Sequence, residues 1–295
     1  MTDVSSLQPL FIRANGLEFA YLEATPAQAA DAPLVLCLHG FPDTAWSFRP
    51  LLGQLADAGY RAVAVFMRGY TPTALAGDGD YSALALGRDV LALIEHFGVD
   101  QAYVVGHDWG AVAAYAAAAM RADRVRRIVA AGVPHPRRLL LRLSRAQLRA
   151  SHYTFKFQMR GSAEKTIARD DFAWLQDLVR SWSKDWEPDA EYWTRVKAGF
   201  SERPRLRAAL SYYRAIPGWL FRRDGWNYLL KPIQVPARVI CGTEDGSMLA
   251  STFEDQAHLF GRGYELVRME GIGHFMHLQA PDTFARLVLE ELKRG

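Results

Sequence analysis

Apolar and polar positions change period several times along the chain, and each change predicts an element. Leu10 to Ala14 and Leu17 to Ala24 read as short strands. Asn15-Gly16 between them tolerates positive φ at both positions, which is the signature of a tight hairpin. Pro33 to Leu38 is a continuous apolar run, as in a strand buried on both faces, and it leads into His39-Gly40-Phe41-Pro42. Helices are then predicted over Trp46 to Ala58, Ser82 to Phe97 and Gly110 to Ala122, with strands over Tyr60 to Met67, Gln101 to His107 and Val125 to Val133. In the second helix Leu84, Leu86, Val90, Leu93, Ile94 and Phe97 fall near helical spacing, and Gly98 ends it.

This alternation predicts an α/β fold with a mostly parallel central sheet and helices on both faces. It stops at Pro134-His135-Pro136. From there to about Tyr228 the chain reads as helical and rich in tryptophan and arginine. It resumes with a strand over Ala237 to Gly242, a helix over Leu249 to Phe260, a strand over Tyr264 to Met269 and a helix over Pro281 to Arg294. The expected organisation is a core formed by residues 1–134 and 229–295, interrupted by a helical cap, 135–228.

Composition narrows the picture. Half of the 295 residues are hydrophobic and the net charge is only +3, so nothing calls for a nucleic-acid partner. Cys37 and Cys241 are far apart and lie in apolar runs. They are expected to be buried free thiols in a reducing compartment, neither metal ligands nor a disulfide. Residues 1–9 have no apolar stretch of the signal-peptide kind, and no run is long enough for a membrane helix. A cytoplasmic location is the expectation. Nine arginines fall between Arg121 and Arg149. The amphipathic stretch Arg137 to Arg149 is expected to be a solvated cap helix whose apolar face docks the cap, without stable membrane association.

Candidate chemistry centres on Gly106-His107-Asp108-Trp109-Gly110, which follows an apolar strand and opens a helix. Small residues at both ends allow a sharp turn that exposes the middle side chain above the sheet. Here that side chain is an aspartate. With an ordinary pKa of about 4 it is ionised at neutral pH and needs no base to activate it. It can displace an alkyl leaving group and become an ester. The matching substrate has an electrophilic sp3 carbon, as in an epoxide or an alkyl halide. Hydrolysis of the ester then needs water activated by a histidine that an acid orients. Asp245 and His274 follow the last two predicted strands in the required order, with Glu244 and His277 as rivals. The backbone N–H groups of Phe41 and Trp109 are the expected oxyanion hole.

Taken together, His39-Gly40-Phe41-Pro42 with Trp46 and Arg49, Arg68-Gly69-Tyr70, the Asp108 elbow and Gly273-His274 resemble the epoxide hydrolases of the α/β-hydrolase superfamily. The resemblance covers nearly the whole chain. It implies an α/β-hydrolase fold, no cofactor or metal, and an apolar epoxide and water as the reaction partners. It also implies two cap tyrosines that hold the epoxide oxygen. Ser151-His152-Tyr153 and Ser211-Tyr212-Tyr213-Arg214 resemble the two tyrosine segments, which points to Tyr153 and Tyr213, with Tyr212 as the rival of the second. A phenol suits this role, because it polarises the oxygen and then protonates the alkoxide.

Two other readings use the same fold. A haloalkane dehalogenase shares the aspartate, and the Trp109 indole could bind halide. That family's second halide donor, an Asn after the His-Gly pair or a cap Trp, is replaced here by Phe41 and Tyr153. Fluoroacetate dehalogenases carry an arginine where this chain has Trp109. A non-catalytic binding protein is the third reading, since fold does not fix function. A homodimer is compatible with all three.

Overall fold

A computed structural model describes residues 2–26 and 31–294. Met1 and Gly295, the outer ends of the expected core segments, lie outside the described residues. Eight strands form one sheet: β1 (Leu10–Ala14), β2 (Leu17–Ala24), β3 (Leu34–Leu38), β4 (Arg61–Val65), β5 (Ala102–His107), β6 (Val125–Ala131), β7 (Ala237–Gly242) and β8 (Tyr264–Met269). Their order is β1-β2-β4-β3-β5-β6-β7-β8. Only β2 runs against the others, through its antiparallel pairs with β1 and β4. Asn15 and Gly16 take φ of 46° and 75°, as the hairpin requires.

The central strands β3 and β5 are buried at every position, so their near-continuous apolar sequences are what a sheet covered on both faces demands. On one face pack α1 (Arg49–Asp57) and the last helix; on the other, α2 (Ala83–His96) and the alanine-rich α3 (Trp109–Met120). Between β6 and β7 the chain forms α4 (Pro136–Leu141), α5 (Arg145–Ala150), α6 (Tyr153–Gln158), α7 (Ser162–Ala168), α8 (Ala173–Trp182), α9 (Ala190–Phe200), α10 (Arg203–Arg214) and α11 (Ile216–Phe221). The chain closes with α12 (Met276–Gln279) and α13 (Pro281–Leu292). Among the described residues no helix is long and apolar enough to cross a membrane.

Two expectations need correction. Leu249 to Phe260 is not one helix but two short 3₁₀ turns, Ala250–Phe253 and Ala257–Leu259. Asp255 between them has φ of 54°, which no continuing helix accommodates. Gln147 also takes the Leu249 N–H and the Thr252 hydroxyl, drawing the first turn toward the helical insert. The second correction concerns Arg137 to Arg149. It forms two short helices broken after Leu141, and Leu141, Leu143 and Leu148 remain 40–47% exposed. Its apolar residues are therefore only partly used to dock the insert.

Candidate active site

The sheet order reverses at β3, whose neighbours are β4 on one side and β5 on the other. In open parallel sheets, ligands bind at such a switch point, beyond the carboxyl ends of the strands. The loop after β3 carries Gly40 and Phe41; Asp108 follows β5. Leu38 pairs in register with Gly106, which brings Phe41 and Asp108 together.

Asp108 takes φ of 51° and ψ of −118°, a costly conformation for a side-chain-bearing residue. Its surroundings enforce it. A Cβ on Gly110 would collide with the Leu38 carbonyl oxygen, and one on Gly40 would overlap the Asp108 carboxylate. Phe41 N–H donates to Asp108 Oδ1 at 2.9 Å. Among the described residues the Trp109 N–H makes no hydrogen bond to that carboxylate, so of the two N–H groups expected to form the hole only one is engaged.

His274 lies on the other side of Asp108, its Nε2 3.7 Å from Oδ2. Its Nδ1 is 2.8 Å from Asp245 Oδ2. Asp245 is itself fixed, because its Oδ1 accepts the backbone N–H groups of Ser247 and Met248 at 2.7 and 2.8 Å. Burial works against a charged His274, but Asp245 and Asp108 outweigh it and push the imidazole up to about 10. Burial likewise favours a protonated Asp108, yet His274, His107 and the Phe41 N–H together hold it below the usual carboxylate range. Both shifts favour a charged His274 facing an ionised Asp108. The rivals lie elsewhere: Glu244 is exposed, and His277 Nε2 bonds Asp43 at 3.0 Å.

An apolar pocket of about 280 Å³ opens over Asp108. Trp109, Val112, Leu139, Trp219 and Met248 line it, and so do Tyr153 and Tyr213. The Tyr153 hydroxyl shares a 3.0 Å hydrogen bond with Ser247 Oγ. Among the described residues the buried Tyr213 hydroxyl makes no well-formed hydrogen bond, although Trp109 lies close enough to favour its charged form. Burial, then the nearby Asp108 charge, raises both phenols above their ordinary pKa. Tyr212 faces away and donates to the Arg68 carbonyl oxygen at 2.7 Å. Of the aromatic residues in the insert, Phe155 and Trp219 join the pocket wall, whereas Phe157, Trp182 and Phe200 pack in the core.

Sequence reasoning missed a second polar cluster behind the first. Asp43, His107 and His277 are fully buried, with potential ligand atoms within 4.8 Å of one another. Burial pushes Asp43 up to about 6; burial and then His274 push His277 down to about 3. At neutral pH this gives an ionised Asp43 accepting from a neutral His277. Asp43 directly follows the His39-to-Pro42 motif, which was the available signal; Ser247 similarly follows Asp245 by two residues.

Residues 33–281 match the family model described as the alpha/beta hydrolase fold. The AB hydrolase superfamily protein YfhM of Bacillus subtilis is 28% identical over 96% of this chain and 97% of its own. Epoxide hydrolase 1 of Siraitia grosvenorii is 30% identical over 91% of this chain and 94% of its own. The crystal structure of an epoxide hydrolase from Vigna radiata superposes with a TM-score of 0.83 at 26% identity, covering 99% of this chain and all of that one. The chain belongs to the α/β-hydrolase superfamily and, within it, to the epoxide hydrolase family.

Proposed function

We propose that the protein hydrolyses apolar epoxides to vicinal diols through an ester on Asp108. The observation that carries this reading is the Asp108 carboxylate at the floor of an apolar pocket with the Tyr153 and Tyr213 phenols in its wall. The relatives named epoxide hydrolases support it. In this reading residues 1–134 and 229–295 are the hydrolase core and 135–228 its cap. The buried free thiols suit a reducing, cytoplasmic setting.

The chemistry follows from the charges. Asp108 attacks an epoxide carbon, a carbon–oxygen bond of the ring breaks, and the new alkoxide takes a proton from Tyr153 or Tyr213. Raised phenol pKa values keep that proton available beforehand. Forming the ester removes the Asp108 charge, and with it part of what held the His274 pKa up. His274 can then give up its proton, which restores the tyrosine, and it becomes a base oriented by Asp245. Water loses a proton to His274 and attacks the Asp108 carboxyl carbon. Phe41, joined by Trp109, stabilises the oxyanion. The ester bond breaks, the diol oxygen takes the proton from His274, and the second proton of the water passes from the Asp108 carboxyl to His274, which restores the ionised Asp108 and the charged imidazole.

A single turnover in H₂¹⁸O with enzyme in excess tests this path. The first diol should be unlabelled and an Asp108 peptide should gain ¹⁸O. Label in the diol and none in the peptide would remove the covalent route. Asp108→Ala should abolish turnover. His274→Gln should accumulate a substrate adduct visible by mass spectrometry, and multiple turnover by that variant would contradict the assigned base. Release of halide from 1-chlorobutane with no diol from styrene oxide would instead favour the dehalogenase reading.

A further inference from the structure

The rim of the pocket over Asp108 is mostly apolar, with the exposed Gln158 as a polar member. Leu143, Leu148 and Phe155 line it and are at the same time 40%, 40% and 64% exposed. The wall therefore continues outward mostly as bare hydrocarbon. Leu141, at the end of α4, is 47% exposed. Phe221 is 86% exposed, and it ends the helix whose Ile216 and Pro217 also line the pocket. Exposed apolar side chains scattered singly are ordinary; a group that borders one opening is the mark of an interaction site.

The two segments that frame this opening carry charge of one sign, although Glu254 from another segment lies beside α4, its carbonyl oxygen accepting from Arg138. From Arg124 to Ala163 the chain contains no aspartate or glutamate, and neither does Arg203 to Arg223. These two stretches supply α4, α5, α6, α10 and α11. Arg142, Arg145 and Arg149 are exposed, alternate with the rim leucines, and form no ion pair among the described residues. The next acid after α11, Asp224, lies 3.9 Å from Arg222.

We infer that the pocket mouth docks onto an anionic lipid surface, with the leucine and phenylalanine rim at the acyl boundary and Arg142, Arg145 and Arg149 against the lipid phosphates. Apolar residues flanked by arginines are the composition of an interfacial anchor. Basic side chains next to an anionic leaflet each add favourable energy. A second copy of the chain is a poorer occupant, because a two-fold contact at this face would bring the same arginines against one another. Docking here would let an apolar epoxide pass from the bilayer into the pocket without crossing water.

The test is co-sedimentation of the full chain with lipid vesicles, read without turnover. Vesicles with about one-third phosphatidylglycerol should carry the protein down at low salt and release it at high salt. Phosphatidylcholine vesicles should bind far less. The Arg142→Gln/Arg145→Gln/Arg149→Gln variant should lower partitioning roughly a hundredfold. A Leu141→Glu/Phe221→Glu variant should lower it as well. Both variants should keep the wild-type rate on dissolved styrene oxide, which also shows that they fold. Failure to bind anionic vesicles overturns the proposal, as does equal binding to neutral ones or binding indifferent to the arginines. A rim-dependent dimer in the ultracentrifuge without vesicle binding also overturns it, in favour of a second copy. Vesicle binding without epoxide turnover would overturn the proposed reaction and leave the docking intact.

Discussion

Tyr153 and Tyr213 occupy different electrostatic positions although both line the pocket with Asp108. Tyr153 already shares a hydrogen bond with Ser247, while among the described residues the buried Tyr213 hydroxyl has only the nearby Trp109 and no well-formed hydrogen bond. If both hold the epoxide oxygen, Tyr153→Phe and Tyr213→Phe should each slow ester formation by about 10²–10³, and the double variant should nearly abolish it. Stopped-flow fluorescence of the alkylation phase checks this. Tyr212→Phe should leave that phase close to wild type, because its hydroxyl serves the Arg68 carbonyl; a loss as large as for Tyr213 would transfer the role. Sequence alone could not separate Tyr212 from Tyr213. Neighbours on a helix point about 100° apart, and only packing decides which one meets the pocket. That Asp245 and His274 lie together beside Asp108 was legible, because strand-end position and chain order constrain where both fall. The Asp43–His277 bond was not, since it joins side chains 234 positions apart with no local pattern linking them.

At the level of elements, apolar period predicted every strand, because a covered sheet leaves little freedom in composition. The predicted helix over Leu249 to Phe260 failed for the complementary reason. Its side chains are claimed by Gln147 and by neighbouring loops, and such long-range hydrogen bonds leave no period in the sequence. The loop after β4 depends on a similar tie. Arg68 binds both carboxylate oxygens of Asp89 on α2 at 2.5 Å, and both side chains are almost wholly buried. Asn15 in the hairpin turn donates to the same carboxylate at 2.7 Å. Asp89→Asn would leave a buried guanidinium unpaired and should cost roughly 3–5 kcal/mol of stability by urea unfolding. A change under about 1 kcal/mol would mean that the buried charge finds another partner.

For the whole molecule, pH dependence of stability has two sides. His135 is pushed down to about 4 and His277 to about 3, in both cases chiefly by burial, against an unfolded value of about 6.5. Both should stabilise the fold fully above pH 6.5, with the benefit lost as pH falls toward 4 and below. For His135 the loss is on the order of 3 kcal/mol. His274 acts in the opposite sense. Raised to about 10, it stabilises fully below 6.5, and this is lost as pH rises toward 10. Urea midpoints across pH 4 to 10 should describe a dome, and His135→Gln should flatten its acid side. An acid side unchanged in that variant would refute the assignment to His135. Stability of the assembly also bears on access. The buried Gln147 of α5 donates to the Ser247 carbonyl and accepts from Leu249 and Thr252, while Tyr153 of α6 holds the Ser247 hydroxyl. Lifting the helical insert away from the sheet would strand all of these groups at once. With this latch closed, a molecule reaches Asp108 through the porthole that Leu143, Leu148 and Phe155 border, and the width of that porthole then decides which molecules arrive.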